Sequence, residues 1–67
     1  MAETNVTQQK AETNAVAFLI GRYGDDKYEL REVSGGKNRP FRFEYSQKSI
    51  GVRRIVFVDH KTGEVSE

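Results

Sequence analysis

The sequence of this 67-residue chain predicts a small all-β domain. We expect a four- to five-stranded antiparallel sheet or an SH3-like barrel, preceded by a disordered N-terminal tail. Two segments, residues 41–46 and 52–58, combine aromatic or β-branched residues with the patterns of strands. Clusters of glycine, serine, asparagine and aspartate separate the strand-like segments as turns do. Polar residues dominate the first 14 positions.

Residues 1–14, MAETNVTQQKAETN, are predicted to be a flexible tail. Val6 is the one large apolar side chain that follows Met1 in this segment. Burying a single valine cannot offset an ordering cost of about 1–2 kcal/mol for each residue. We therefore place a single small β domain at residues 15–67.

The first part of the domain is compatible with two structures. In residues 15–23, AVAFLIGRY, the apolar positions fit either the stripe of a helix or the alternation of a strand. Residues 27–33, KYELREV, alternate apolar and charged side chains after the turn-forming cluster YGDDK. A β-hairpin explains both segments at once, so we prefer it. The alternative is an α+β fold in which residues 15–33 are helical.

The second half of the chain gives the clearest strands. SGGKNR, residues 34–39, is predicted to be a loop, because paired glycines permit positive φ and proline follows. Residues 41–46 form one strand, and SQKSIG turns the chain into a second strand at residues 52–58. HKTGEV then reverses the chain again and leads to a last short strand at Val65.

The strands at residues 41–46 and 52–58 should pair as an antiparallel hairpin whose largest apolar residues share a face. The expected cross-strand pairs are Phe41–Phe57, Phe43–Ile55, Tyr45–Arg53 and, on the reverse face, Glu44–Arg54. Phe41 and Phe43 are then predicted to be core residues. If both are buried, removing either side chain would cost about 3–5 kcal/mol of stability. Tyr45 lies near the strand end and is predicted to be more open.

In this register the strand at residues 52–58 is apolar on both faces. Val52, Val56 and Val58 occupy the face opposite Ile55 and Phe57. A half-solvated antiparallel strand normally alternates apolar with polar residues, so something must cover the valine face. Residues 15–33 could fold over it and close a barrel, or another protein or a second copy of the chain could bind there.

Catalytic signatures are missing from the sequence. His60 is the single histidine, and its neighbour Asp59 would point to the opposite face of a strand. The chain has no cysteine to act as a nucleophile or to ligate a metal. We expect neither enzymatic activity nor a cofactor. The absence of cysteine and of a long apolar run leads us to expect a cytoplasmic protein without a membrane partner.

Nucleic-acid binding is the alternative function. The 11 basic and 10 acidic residues nearly balance, which is unlike a protein built to neutralise phosphates. Aromatic and basic residues nevertheless interleave on the predicted strands, as they do in single-strand binders. The candidate residues for such a basic and aromatic sheet face are Lys37, Arg39, Arg42, Lys48 and Arg54. Their spread along the chain and the expected pairing of Glu44 weaken this hypothesis.

Protein–protein contact is the function that we favour from the sequence. A small chain without catalytic groups acts by occupying a partner's surface, as an inhibitor, an adaptor or a subunit. The doubly apolar strand offers the surface for such a contact. Tyrosine and arginine carry much of the binding energy at interfaces. The candidate partner-binding residues are Arg42, Tyr45, Arg53 and Val56.

Overall fold

The computed structural model of the chain describes residues 6–67, which fold into one helix and a four-stranded antiparallel sheet. The elements are α1 (Gln8–Tyr23), β1 (Tyr28–Ser34), β2 (Phe41–Gln47), β3 (Val52–Val58) and β4 (Val65–Ser66). The strands lie in the order β1-β2-β3-β4, so strands that follow one another in the chain are neighbours in the sheet. The predicted small antiparallel sheet is confirmed, but the fold is α+β rather than all-β.

Helix α1 occupies the segment that we expected to be the first strand of a hairpin. Thr7 is the N-cap, and its hydroxyl oxygen accepts a hydrogen bond from the backbone N–H of Lys10 at 3.1 Å. At the other end, the N–H of Gly24 donates to the carbonyl of Ile20 at 2.8 Å. The helical alternative was therefore right for residues 15–23, whereas residues 28–34 form the predicted strand.

The helix also includes residues 8–14, which we had assigned to the flexible tail. Ala11, Ala15 and Leu19 recur every four residues, and all three are fully buried. Two alanines on this stripe let the helix backbone approach the sheet closely, and alanine favours helix more than any other residue. The tail prediction for residues 1–5 lies outside the described residues.

The pairing of β2 with β3 differs by one residue from the predicted register. Phe43 lies opposite Val56, and Phe41 lies opposite Val58. The valines of β3 therefore share the aromatic face of β2, and helix α1 covers both. Of the two covers considered for the valine face, residues 15–33 or a partner, the helical part of residues 15–33 is the one that packs there. The predicted register is wrong because β3 is apolar on both faces, so its pattern fits either alignment.

The core lies between the helix and this covered face of the sheet. Phe43, Leu19, Val56 and Val58 are its largest fully buried side chains. The rings of Phe41 and Phe43 stack with their centroids 5.5 Å apart, which confirms the prediction that both belong to the core. Tyr45 is buried beside them with 2% of its surface exposed, contrary to the expectation that it would be more open.

Candidate functional site

No described element covers the face of the sheet that points away from helix α1. We call this surface the open face. The register places on it Glu29, Glu32 and Ser34 of β1, Arg42, Glu44 and Ser46 of β2, Arg53, Ile55 and Phe57 of β3, and Ser66 of β4. Because neighbouring residues of a strand point to opposite faces, none of these side chains can reach the core beneath the helix.

Two large apolar side chains lie on the open face. Ile55 is 38% exposed and Phe57 is 39% exposed, although both belong to strand β3 rather than to a loop. Phe57 also lines a shallow depression of about 190 Å³ at the margin of the open face. The residues around this depression are Pro40, Phe57, Asp59, Glu64, Val65 and Ser66. The open face therefore has an apolar patch, Ile55 and Phe57, along β3.

A charged cluster lies beside the apolar patch. The Glu44 side chain is 14% exposed, and its carboxylate accepts a hydrogen bond from the guanidinium of Arg53. Arg42 lies on its other side, with Nη2 3.9 Å from Glu44 Oε1 and Nη1 3.9 Å from Glu32 Oε1. The predicted pairing of Glu44 with a base of β3 occurs, but its partner is Arg53 instead of Arg54. The cluster contains two positive and two negative side chains and has no net charge.

The structure divides the predicted partner-binding residues between the two faces of the sheet. Arg42 and Arg53 lie on the open face, where a partner could contact them. Tyr45 and Val56 lie in the core, with exposed fractions of 2% and 0%. Sequence reasoning missed Ile55 and Phe57, because the expected register had placed them under the aromatic residues of β2.

The basic side chains proposed for nucleic-acid binding do not share one surface. Arg42 points to the open face, whereas Arg54 lies on the helix side, with its Cζ 3.7 Å from the centroid of the Tyr23 ring. Lys37 and Arg39 lie in the loop before β2, and Lys48 lies in the turn after it. The aromatic residues of β2 are buried in the core. The structure therefore does not bring these five basic residues and the aromatic residues of β2 together on one sheet face.

Asp59 and His60 lie in the turn between β3 and β4, where both accept hydrogen bonds from backbone N–H groups. Asp59 Oδ1 accepts hydrogen bonds from the backbone N–H groups of Thr62 at 2.9 Å and Lys61 at 2.7 Å. These bonds stabilise the carboxylate, that of Thr62 most, and lower the pKa of Asp59 below its usual range. The carbonyl of His60 accepts a hydrogen bond from the N–H of Val6 at 2.7 Å. Asp59 is thus a turn-stabilising residue.

No group of three or more histidine, aspartate or glutamate side chains in residues 6–67 is arranged to hold a metal ion. The helix within this range is too short and too polar to cross a membrane. Comparisons of the chain with protein-family models, curated proteins and solved structures found no significant match. A functional proposal must therefore rest on the chain's own surface.

Proposed function

We propose that this chain is a small non-enzymatic binding protein that contacts another protein through the open face, as an inhibitor, an adaptor or a subunit. The observation that supports the proposal is the exposure of Ile55 and Phe57 within a strand, on a sheet face that no described element covers. An antiparallel sheet with one solvated face normally carries polar side chains there. A contiguous apolar patch with a polar rim is typical of protein interaction sites.

The composition of the open face is suited to a protein partner. Burying the exposed two-fifths of Ile55 and Phe57 would contribute about 1 kcal/mol each, given about 1.5–3 kcal/mol for a whole side chain. Arg42 and Arg53 flank this patch, and the Glu44 carboxylate between them accepts a hydrogen bond from Arg53. Aromatic and arginine side chains of this kind contribute most of the affinity at many interfaces. Electrostatic pairing across the rim would add specificity.

No observation favours nucleic acid over protein as the partner. Stacking on bases requires exposed aromatic rings, and three of the aromatic residues that suggested stacking are buried. Binding along a phosphate backbone requires several lysine or arginine side chains on one surface that have no acidic partners. On the open face, Arg42 and Arg53 each lie beside a carboxylate.

The proposal is tested by capturing the partner with variants of the full chain. Tagged wild type, Phe57→Glu and Ile50→Glu are incubated with a lysate of the source cells, with and without nuclease. Ile50 is the matched control, because it is 59% exposed and lies in the turn after β2, away from the open face. Circular dichroism confirms that each variant is folded.

We expect a protein that binds wild type and Ile50→Glu, is lost with Phe57→Glu, and is unaffected by nuclease. Equal capture by both variants would contradict the use of the open face. Capture that nuclease abolishes would instead favour the nucleic-acid alternative. Cytoplasmic location, the absence of enzymatic activity and the absence of a cofactor remain predictions that this experiment does not address.

A further inference from the structure

We infer that the partner contributes an extended strand that pairs with the outer edge of β3. This inference rests on the proposed function and deepens it by naming the form of the partner. The edge in question is the outer side of residues 52–55 of β3, with which no strand of residues 6–67 pairs, together with the side chains that border it. The partner segment that fits is a strand whose side chains alternate between apolar, toward the open face, and acidic, toward the helix side.

The first step is the hydrogen-bonding geometry of the edge. Strand β3 has seven residues, but β4 pairs with Phe57 and Val58 alone. The N–H of Asp59 donates to the carbonyl of Glu64 at 2.8 Å, so the backbone groups of Asp59 point toward β4. In an antiparallel strand this direction repeats at every second residue. The N–H and C=O groups of Arg53 and Ile55 therefore point outward, and no described strand pairs with them.

The opposite edge of the sheet, formed by β1, is less suited to pairing with an added strand. Strand β1 has a register irregularity between Leu30 and Glu32. Bulges are one device by which natural sheets prevent other strands from pairing at an edge. The pairing of β3 with β2 is regular along its whole length. The edge of β3 is thus the one suited to strand addition.

The second step is the chemistry of the side chains along this edge. Ile55 borders this edge on the open face, and Phe57 is the next residue of β3 on the same face. On the helix side, Arg54 donates from Nε to Gln47 Oε1 at 2.9 Å and lies over the Tyr23 ring. No carboxylate within residues 6–67 forms a salt bridge with Arg54. A strand with apolar residues facing Ile55 and a carboxylate facing Arg54 complements both sides.

A second copy of the chain fits this edge less well. Antiparallel pairing of β3 with its own copy about Arg54 would place two guanidinium groups opposite each other, which is destabilising. The open face alone is also small. The sheet has three strands of seven residues and one of two. At about 4.8 Å between strands and about 3.3 Å per residue, its face spans roughly 360 Å². A stable interface buries about 800 Å² per partner, so the face needs the additional contacts of an edge strand.

The test uses a synthetic peptide and the full chain. The probe is a capped heptapeptide, Thr-Val-Glu-Val-Glu-Val-Thr, titrated to about 1 mM into isotope-labelled protein and followed by NMR. We expect the amide signals of Arg53 and Ile55 to shift and their hydrogen exchange to slow. Replacing both glutamates of the peptide with lysines should weaken binding about tenfold, because Arg54 then faces a like charge.

Backbone methylation of the peptide distinguishes edge pairing from other contacts. In the antiparallel arrangement, the peptide residues opposite Arg53 and Ile55 are valines, whose N–H groups point at β3. N-methylation of the valines should therefore weaken binding about tenfold or more, whereas N-methylation of the glutamates should change it less than about twofold. No amide shift at about 1 mM peptide, or equal tolerance of both methylated peptides, would overturn the inference.

The outcome can be separated from that of the proposed function. If the partner captured from the lysate depends on Phe57 but the peptide does not bind, the open face is used without strand addition. If partner capture does not depend on Phe57, the proposed function itself fails, whatever the peptide does.

Discussion

Replacing Tyr45 with phenylalanine removes one oxygen atom from the core of the domain. The Tyr45 side chain is buried, and its hydroxyl has no hydrogen-bonding partner among residues 6–67. A buried polar group without a partner costs about 1–3 kcal/mol of desolvation, and the substitution leaves the packing of the ring intact. We therefore expect Tyr45→Phe to raise the free energy of unfolding by about 1 kcal/mol at neutral pH.

Alkaline titration gives a second signature of the same hydroxyl. Burial raises the pKa of Tyr45 to about 12, whereas a tyrosine in the unfolded chain ionises near pH 10. The unfolded state thus releases this proton first as the pH rises. Below about pH 10 both states keep the proton, so the stability of wild type does not depend on this titration. Between the two pKa values, wild type loses about 1.4 kcal/mol of stability per pH unit. Phenylalanine does not titrate, so the advantage of the variant should widen in this range.

Equilibrium urea unfolding, followed by far-UV circular dichroism, measures both effects. The two proteins are compared at neutral pH and at several values above pH 10. Tyr23→Phe is the matched control, because the Tyr23 hydroxyl donates to the carboxylate of Glu67 and its removal should lower stability. A Tyr45→Phe variant less stable than wild type at neutral pH would refute the reasoning. So would a difference in stability that stays constant through the alkaline range.

Three further predictions concern the turns and the helix. Gly36 has φ +92°, and an added Cβ would collide with the Phe41 ring, so Gly36→Ala should lower stability by at least about 1–2 kcal/mol in urea unfolding. Gly21→Ala should raise it by about 0.5–1 kcal/mol, because nothing lies within 4 Å of the added Cβ; a loss would contradict this. The lowered pKa of Asp59 stabilises the fold above about pH 4, so acidification should destabilise wild type more than Asp59→Asn.

The strands of the second half were predictable because their signals are local. Phe41–Gln47 and Val52–Val58 agree with the predicted ranges to within one residue, and the short strand at Val65 is also present. Alternating or β-branched residues between turn-forming clusters determine such segments with little help from the rest of the chain.

Helix α1 was only the alternative for residues 15–23, and its residues 8–14 were missed, because its buried stripe contains few large residues. Ala11 and Ala15 are fully buried, but a pattern of large apolar side chains does not include them because they are small. Their value becomes apparent when the sheet is present, since small residues let the helix backbone approach it. The polar residues between them, on the exposed side of the helix, resemble a flexible tail in the sequence.

The candidate site depended on a register shift of one residue. Because β3 is apolar on both faces, its sequence is compatible with either face lying beneath the helix. The structure places Val56 and Val58 under α1 and leaves Ile55 and Phe57 exposed. That choice moved Val56 from a candidate contact to the core, and it moved Phe57 from the core to the proposed interface.

The sequence by itself determined the antiparallel sheet, the positions of its strands and turns, and the absence of cysteine chemistry, because these depend on residue types and short-range patterns. Only the tertiary structure decided which face of β3 the helix covers, which glutamate–arginine pairs form, and which strand edge the other described strands leave without a partner. Those features depend on contacts between segments distant in sequence, in which the volume of each side chain must match the space left by the others.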